Sequence, residues 1–382
     1  MVAAGITALS VYHPRTVRRN AWWRQHAPDF VAALEGRAAS QVWEGDGPAN
    51  PWQAAMAPYL QDVFRGTTAR RVMAPGETAH DMEEIVTRRL LDAAGLRPED
   101  IDLVLVSCLF PDQYVLGDAI GLAERIGFAC PCINVESACG VAVADLGMAA
   151  AMVETGRMRR VLIVTACTYS RSADADNPMS LTSGDGAAAM LVSPVPDGHG
   201  LRSWKSYTTL ESARAFDYAI EPDPVQRYML KMLPTREAGR ALEACSLKYL
   251  PLCCGEALRQ AGLRPQDLRF AALTTPTAWF ADFACRVLGL PADRVVDTYA
   301  RTANTGPVLM PQNLYEGARR GLFGPGEDVL LFTLGSMSTS GAAVVRMADL
   351  VLAPAPDDGV EEELGPVRAG EGPPAALAPG RS

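Results

Sequence analysis

Apolar positions along this chain follow two alternating periods. In some runs almost every residue is apolar or small: IDLVLVSC (101–108), VLIVT (161–165), LRFAALTT (268–275) and VLLFT (329–333). Short apolar runs of this kind read as strands buried on both faces. Between them lie stretches with helical spacing, such as MEEIVTRRLLDA (82–93) and PLCCGEALRQ (251–260). Strands that alternate with helices predict an α/β protein with mainly parallel sheets. The pattern also repeats. AGLRPED (94–100) and AGLRPQD (261–267) each follow a helical stretch and lead into a strand-like run. A repeat at so long a period implies duplicated domains, not a solenoid.

The repeat sets provisional boundaries. Residues 1–195 form a first half, interrupted by a divergent excursion at 24–60 rich in Trp, Gln, Pro and Ala. Residues 196–350 form a second half. Residues 192–245, with Pro196, Pro222, Pro224 and Pro234, read as an irregular link between the two. The tail, 351–382, is rich in Pro, Gly and Ala and is expected to be disordered.

Aligning the halves on AGLRP brings Ala138-Cys139-Gly140 close to opposite Ala303-Asn304-Thr305. Each tripeptide ends a β-like run (CINVES, 132–137; RVVDTYART, 294–302) and opens a helix. Residues 140–152 are apolar or small on every side, broken only by Asp145, so that helix is buried. A pseudo-twofold axis would bring both helix starts to one point. A cysteine at a helix N-terminus meets free N–H groups and partial positive charge, which lower its pKa and can hold an oxyanion. The competing reading is that Cys139 is a buried small hydrophobe.

Composition narrows the classes. The 382 residues are 48% hydrophobic, enough for a large interior, and the formal net charge is -9. There is no basic stripe with interleaved aromatics, so nucleic acid and anionic membranes are not expected partners. Arg157, Arg159 and Arg160 offer a local basic patch for an acidic carrier protein. Nine scattered cysteines without zinc spacing read as reduced thiols of a cytoplasmic protein. The N-terminus reads as a strand and not a signal peptide, and no run approaches the roughly 20 apolar residues of a membrane span. Met148, Met152 and Met158 read as packing, Asp185 as shaping a tight turn, and no metal or phosphate loop is expected.

Four motifs in order resemble a known family. NVESACG (134–140), SGDGAAAMLVS (183–193), ARTANTG (300–306) and FTLGSMSTSGAAVVRM (332–347) are similar to the motifs of the thiolase-fold condensing enzymes, within them the β-ketoacyl-acyl-carrier-protein synthase III group. The resemblance runs from about Ile6 to Arg346. It implies a five-layered αβαβα fold made of two duplicated halves, usually a homodimer. It implies Cys139 as the nucleophile that takes an acyl group from a coenzyme A or acyl-carrier-protein thioester. Asn304 is then the second-half polar group, and the backbone N–H of Ser336 joins that of Cys139 as the oxyanion hole. Arg171 falls near a family arginine that contacts the nucleotide, and Val115 and Leu116 are candidates to line the acyl pocket. No cofactor is implied beyond the thioester substrate.

One departure matters. The family's His lies in a stretch that here reads LTTPTAW (273–279), which puts Thr274 at the His position and Thr277 where an Asn often stands. The chain's four histidines, His13, His26, His80 and His199, all lie elsewhere, and of them only His26, in the excursion, is a candidate to fold over the site. Losing one preorganised donor costs about 2.7–4 kcal/mol of barrier for a step that develops oxyanion charge. Threonine cannot serve as a base near neutral pH. Three readings follow. The first is an acyltransferase that loads Cys139 and passes the acyl group to a hydroxyl or amine acceptor in specialised, polyketide-type metabolism. The second is a decarboxylative carbon–carbon condensing enzyme with a substitute for the His. The third is a degenerate subunit that pairs with an active partner.

Overall fold

The computed structural model describes residues 2–39, 47–223, 227–355 and 362–363. Its centre is two sheets. One has six strands in the order Val351–Leu352, Ala4–Tyr12, Asp185–Pro194, Val161–Thr168, Leu103–Leu109, Cys132–Asn134. The other has four: Gly200–Thr208, Thr339–Arg346, Asp328–Thr333, Phe270–Leu273. Four strands of the first sheet match the four of the second in order and in sense. In each set the first three neighbours pair antiparallel and the last pair is parallel. The duplication read from AGLRP therefore extends to the sheet topology. Even the turn repeats: Gly95 and Gly262 end their helices with φ of 64° and 68°, and Asp100 and Asp267 each cap the N–H three residues earlier. Only a residue tolerating positive φ ends a helix this way without strain.

Two helices, Val141–Glu154 and Leu309–Arg319, lie between the sheets and touch both. Ala79–Ala94 and Ala119–Ile126 cover the outer face of the first sheet, and Ala238–Ala261 that of the second. The result is five layers, αβαβα. The inner helix 141–154 buries residues on every side, including Val143, Leu146 and Ala150, as its unbroken apolar character requires. Gly147 lets it approach the sheet, since a Cβ there would lie 2.3 Å from the Trp204 ring.

Several expectations are corrected. RVVDTYART is not a strand: Ala292–Arg294 and Tyr299–Thr302 are helical turns, and Val295 keeps a single parallel bridge to Ala271. Asp297 draws the chain out of the sheet by accepting the Tyr299 N–H at 2.9 Å. The stretch 192–245 is largely ordered. It holds the sheet strand Gly200–Thr208, a separate hairpin of Phe216–Asp223 with Arg227–Pro234, and the start of the long helix. Pro196, Pro222 and Pro234 stand near strand ends and on a two-stranded ribbon, where a missing N–H is tolerated, and Pro224 lies outside the described residues. Asp185 does not shape a turn. It is fully buried and opens a strand, accepting hydrogen bonds from the N–H of Met73 and from the N–H and hydroxyl of Ser170. In the tail, Val351–Leu352 extends the first sheet and Glu362–Glu363 pairs with Thr16–Val17; residues 356–361 and 364–382 lie outside the described residues.

Candidate active site

The starts of the two inner helices meet, as the alignment of halves requires. Cys139 sits in a helical turn, Ala138–Gly140, that feeds the helix 141–154; Asn304 precedes the turn Gly306–Val308 that feeds the helix 309–319. Ala138 and Ala303, each just before the polar residue, have φ of 43° and 57°. A non-glycine residue held there costs on the order of 1–3 kcal/mol and needs surroundings that over-determine it. A loop of the second half supplies them. Thr339 Oγ1 lies 2.6 Å from Ser137 Oγ, and the Thr333 hydroxyl donates to the Gly140 carbonyl at 3.2 Å. The contact is so close that a Cβ at position 140 would stand 1.9 Å from the Thr339 carbonyl oxygen.

Cys139, Asn304 and Ser336 all line one cavity of about 480 Å³. The Asn304 side-chain oxygen accepts the Gly306 N–H at 2.8 Å, which leaves its NH₂ as the end available to a substrate. In the loop carrying Ser336, the neighbouring N–H groups of Gly335, Met337 and Ser338 go to Ser340, Ser212 and Thr209 hydroxyls at 3.3, 2.8 and 3.3 Å. The Ser336 N–H is outside that network. The rest of the wall is mostly apolar: Leu109, Phe216, Tyr218, Met232, Trp279 and Leu334. Leu34, Arg37 and Ala38 come from the excursion, which folds as helices over this side. His26, its histidine, instead stacks on Trp22, centroids 4.2 Å apart, and is not part of the wall.

The thiol is not activated as the helix start alone suggests. Burial pushes its pKa up to about 11, against a smaller opposing effect of the Tyr169 hydroxyl 4.0 Å from Sγ. Desolvation of the thiolate outweighs the hydrogen bonds from the Tyr169 hydroxyl and the Cys139 backbone that favour it. Tyr169 was not among the residues singled out from the sequence. It follows the strand 161–168, and nothing in its local pattern marks it.

Four candidate residues fall elsewhere. Thr274 does not line the cavity. Its N–H still pairs with the Phe332 carbonyl at 2.9 Å, so it remains in strand geometry with its side chain fully buried. The chain leaves the sheet two residues later, and Pro276 and Thr277 are the residues that reach the wall. Arg171 lines no described cavity: Asp112 takes it at 2.7 Å and the Glu77 carbonyl accepts from it as well. Val115 and Leu116, 94% and 69% exposed, line a second cavity of about 620 Å³ that shares only Leu109 and Tyr218 with the first. Asn134 pins their loop there by donating to the Leu116 carbonyl at 2.6 Å. The patch at Arg157, Arg159 and Arg160 lies beyond the far end of the 14-residue helix, about 20 Å of rise from Cys139. It is misplaced for a donor entering this cavity.

Duplicated halves, a five-layered core and two opposed helix starts over one cavity define a thiolase-like condensing-enzyme architecture. Residues 133–209 match the model of 3-oxoacyl-[acyl-carrier-protein] synthase III, and residues 258–347 match the model of its C-terminal part. The β-ketoacyl-[acyl-carrier-protein] synthase III of Sphingopyxis alaskensis is 30% identical over 286 residues, 74% of this chain and 88% of that protein. The enzyme of the same name from Methylococcus capsulatus is 28% identical over the same shares. The solved β-ketoacyl-[acyl-carrier-protein] synthase III of Thermus thermophilus superposes with a TM-score of 0.72 at 26% identity, over 90% of this chain and 99% of that one. The priming β-ketosynthase of the R1128 polyketide pathway shares the fold, with a TM-score of 0.74 at 22% identity over 91% and 97%. The chain belongs to the 3-oxoacyl-[acyl-carrier-protein] synthase III family of enzymes.

Proposed function

We propose that this enzyme is an acyltransferase. Cys139 Sγ attacks the carbonyl of an acyl-carrier-protein or coenzyme A thioester, and the N–H groups of Cys139 and Ser336 hold the oxyanion. The departing thiol takes the proton that Cys139 gives up, and an acyl-enzyme remains. A hydroxyl or amine acceptor then attacks that thioester and releases the cysteine. The observation that carries the reading is the cavity wall: among the described residues it contains no His, Asp or Glu, and the LTTPTAW stretch brings only Pro276, Thr277 and Trp279 to it. An acyl-enzyme can form without that donor, because a thioester's leaving group is good. Arg37 and Arg65 on the wall, with Arg236 and Arg240 beside the wall residues Ala238 and Gly239, give a basic rim suited to a phosphorylated donor. All nine cysteines are free, the state a reducing cytoplasm maintains. Among the described residues no helix is long and apolar enough to cross a membrane.

Decarboxylative condensation remains the second reading, favoured by the Asn304 NH₂ held toward the cavity. Intact mass after mixing with acyl thioesters, beside Cys139→Ala, tests the first half-reaction. Discharge by amines or alcohols supports acyl transfer; discharge by a malonyl thioester with loss of carbon dioxide supports condensation. No mass gain from any donor refutes both. We further propose a homodimer formed at the edge strand Cys132–Asn134, where Ile133 is 49% and the nearby Ile120 62% exposed. Ile133→Lys should convert it to a monomer in sedimentation; an unchanged dimer places the interface elsewhere.

A further inference from the structure

A second polar cluster lies outside the cavity, on the outer side of the first sheet. It joins the helix Ala79–Ala94, the end of the strand Leu103–Leu109 and the loop leading to the helix Ala119–Ile126. Glu83 is fully buried there, and apart from the Asp118 carboxyl beside it neither of its oxygens has a hydrogen-bond partner. Cys108 and Asp118 are buried beside it, and the ligating atoms of Glu83, Cys108 and Asp118 lie within 4.8 Å of one another. Those of His80, Asp112 and Asp118 do so as well.

His80 stands three residues before Glu83 and so shares its helix face. Its Nδ1 lies 2.8 Å from Asp112 Oδ2, which fixes that nitrogen as the N–H. The lone pair is then on Nε2, which is buried without a hydrogen-bond partner and 3.6 Å from Asp118 Oδ1. Asp112 is itself held by Arg171 at 2.7 Å. A histidine oriented through one nitrogen by a carboxylate, with the other nitrogen aimed at ligand-type atoms, is the arrangement that supports metal-bound imidazoles.

Two buried carboxyls side by side are unfavourable as two carboxylates, and without a cation they must share a proton. A cation among them would satisfy Glu83, Asp118 and His80 Nε2 together. The donors are one imidazole nitrogen, one thiol sulfur and two carboxylates. That set suits a borderline-soft ion with ligand distances of about 2.0–2.3 Å, and it does not suit calcium or magnesium, which take oxygen ligands. Asp118 belongs to both triads, each within 4.8 Å; tetrahedral ligands at those bond lengths stand about 3.3–3.8 Å apart, so an ion would draw them together.

We propose that Glu83, Cys108 and Asp118 form a structural site for a divalent cation of the zinc class, with His80 Nε2, 3.6 Å from Asp118 Oδ1, drawn in as the fourth ligand. Four protein ligands close the coordination sphere, so the ion holds structure and takes no substrate. Cys108 gives up its proton on binding. The ion would tie the outer helix to the loop carrying Tyr114, Val115 and Leu116, and to the strand whose next residue, Leu109, lines both cavities.

The test uses the purified full chain, stripped with a chelator and titrated with Zn²⁺, and with Co²⁺ as an optical probe. The expected result is one ion per chain, a raised Tm, and a thiolate-to-cobalt charge-transfer band that Cys108→Ser abolishes. Asp112→Asn should weaken binding about 10–100-fold while leaving the stoichiometry at one. The proposal fails if the wild-type chain shows no such band, or if Cys108→Ser and Glu83→Gln bind Zn²⁺ as the parent does. Should a variant not fold, the wild-type cobalt spectrum and stoichiometry decide. None of these readouts depends on acyl transfer, so the failure of one proposal is distinguishable from failure of the other.

Discussion

The position of the Cys139 thiol on the pH scale opposes two effects that the sequence alone cannot rank. The helix start favours thiolate; burial favours thiol. Burial raises the pKa to about 11, against smaller lowering by the Tyr169 hydroxyl and the Cys139 backbone N–H. At pH 7 the thiolate fraction is then about 10⁻⁴, against about 3% for an unperturbed cysteine, a suppression of roughly 300-fold. Alkylation by a small neutral reagent such as iodoacetamide reports that fraction directly. Followed by intact mass with Cys139→Ala as the blank, the rate at Cys139 should rise about tenfold per pH unit from pH 7 to 10 and level only near 11. Tyr169→Phe removes the one hydroxyl that favours the thiolate, so its profile should shift to higher pH. A plateau reached between pH 6 and 8 would refute the reasoning. It would mean that the turn's N–H groups outweigh desolvation, and that the enzyme rests as the thiolate.

Three other outcomes follow from the geometry. Asp145 is fully buried on the nucleophile helix, neither of its oxygens is partnered, and burial raises its pKa from 3.8 to about 8. Because the folded value exceeds the unfolded one, stability is highest below about pH 4 and falls as pH rises to about 8; Asp145→Asn should therefore gain stability over the parent by a few kcal/mol more at pH 8 than at pH 5 in urea unfolding, and an equal difference at both would count against this. Gly140→Ala should lose acylation and about 1–3 kcal/mol of stability, since φ at Gly140 is an ordinary −82° and the whole penalty is the collision with the Thr339 carbonyl; wild-type acylation and stability would show that the loop yields. Thr277→His should gain release of carbon dioxide from a malonyl thioester, whereas Thr274→His, at a position inside the sheet, should mainly destabilise; the opposite ranking would restore the frame read from the sequence.

The parts of the fold that were legible are those encoded locally. The apolar runs 101–108, 161–165 and 329–333 are strands because each is buried on both faces, and burial on both faces leaves no polar alternation to misread. The AGLRP repeat was legible because a left-handed glycine and a capping aspartate are short-range devices. What escaped depends on distant partners. The hairpin 216–234 pairs only with itself and exposes Tyr218, Ile220 and Tyr228, so it has neither a buried run nor clean alternation. Asp185 looked like a turn residue because its three donors come from Met73 and Ser170, which no local window contains. Thr274 looked like a site residue because motif spacing counts residues and does not count how far the strand continues.

The two halves also show where function departs from duplication. Their sheets have the same strand order and sense, and an alanine at positive φ stands just before each polar residue. Each start is held by the opposite half: Ser137 and Gly140 by Thr339 and Thr333, Asn304 by the Thr182 carbonyl and the Gly184 N–H. What differs is one residue at each start: a thiol in the first, an amide in the second. The amide is fixed by its own Gly306 N–H, and the thiol is left against a mostly apolar wall. A duplicated frame places two reactive positions a short distance apart at no extra cost in fold, and single substitutions then decide which chemistry the pair performs. The same argument explains why a threonine at the family His position leaves the architecture intact. Thr274 contributes its backbone N–H to the strand pairing, through the Phe332 carbonyl, and that bond does not depend on the side chain.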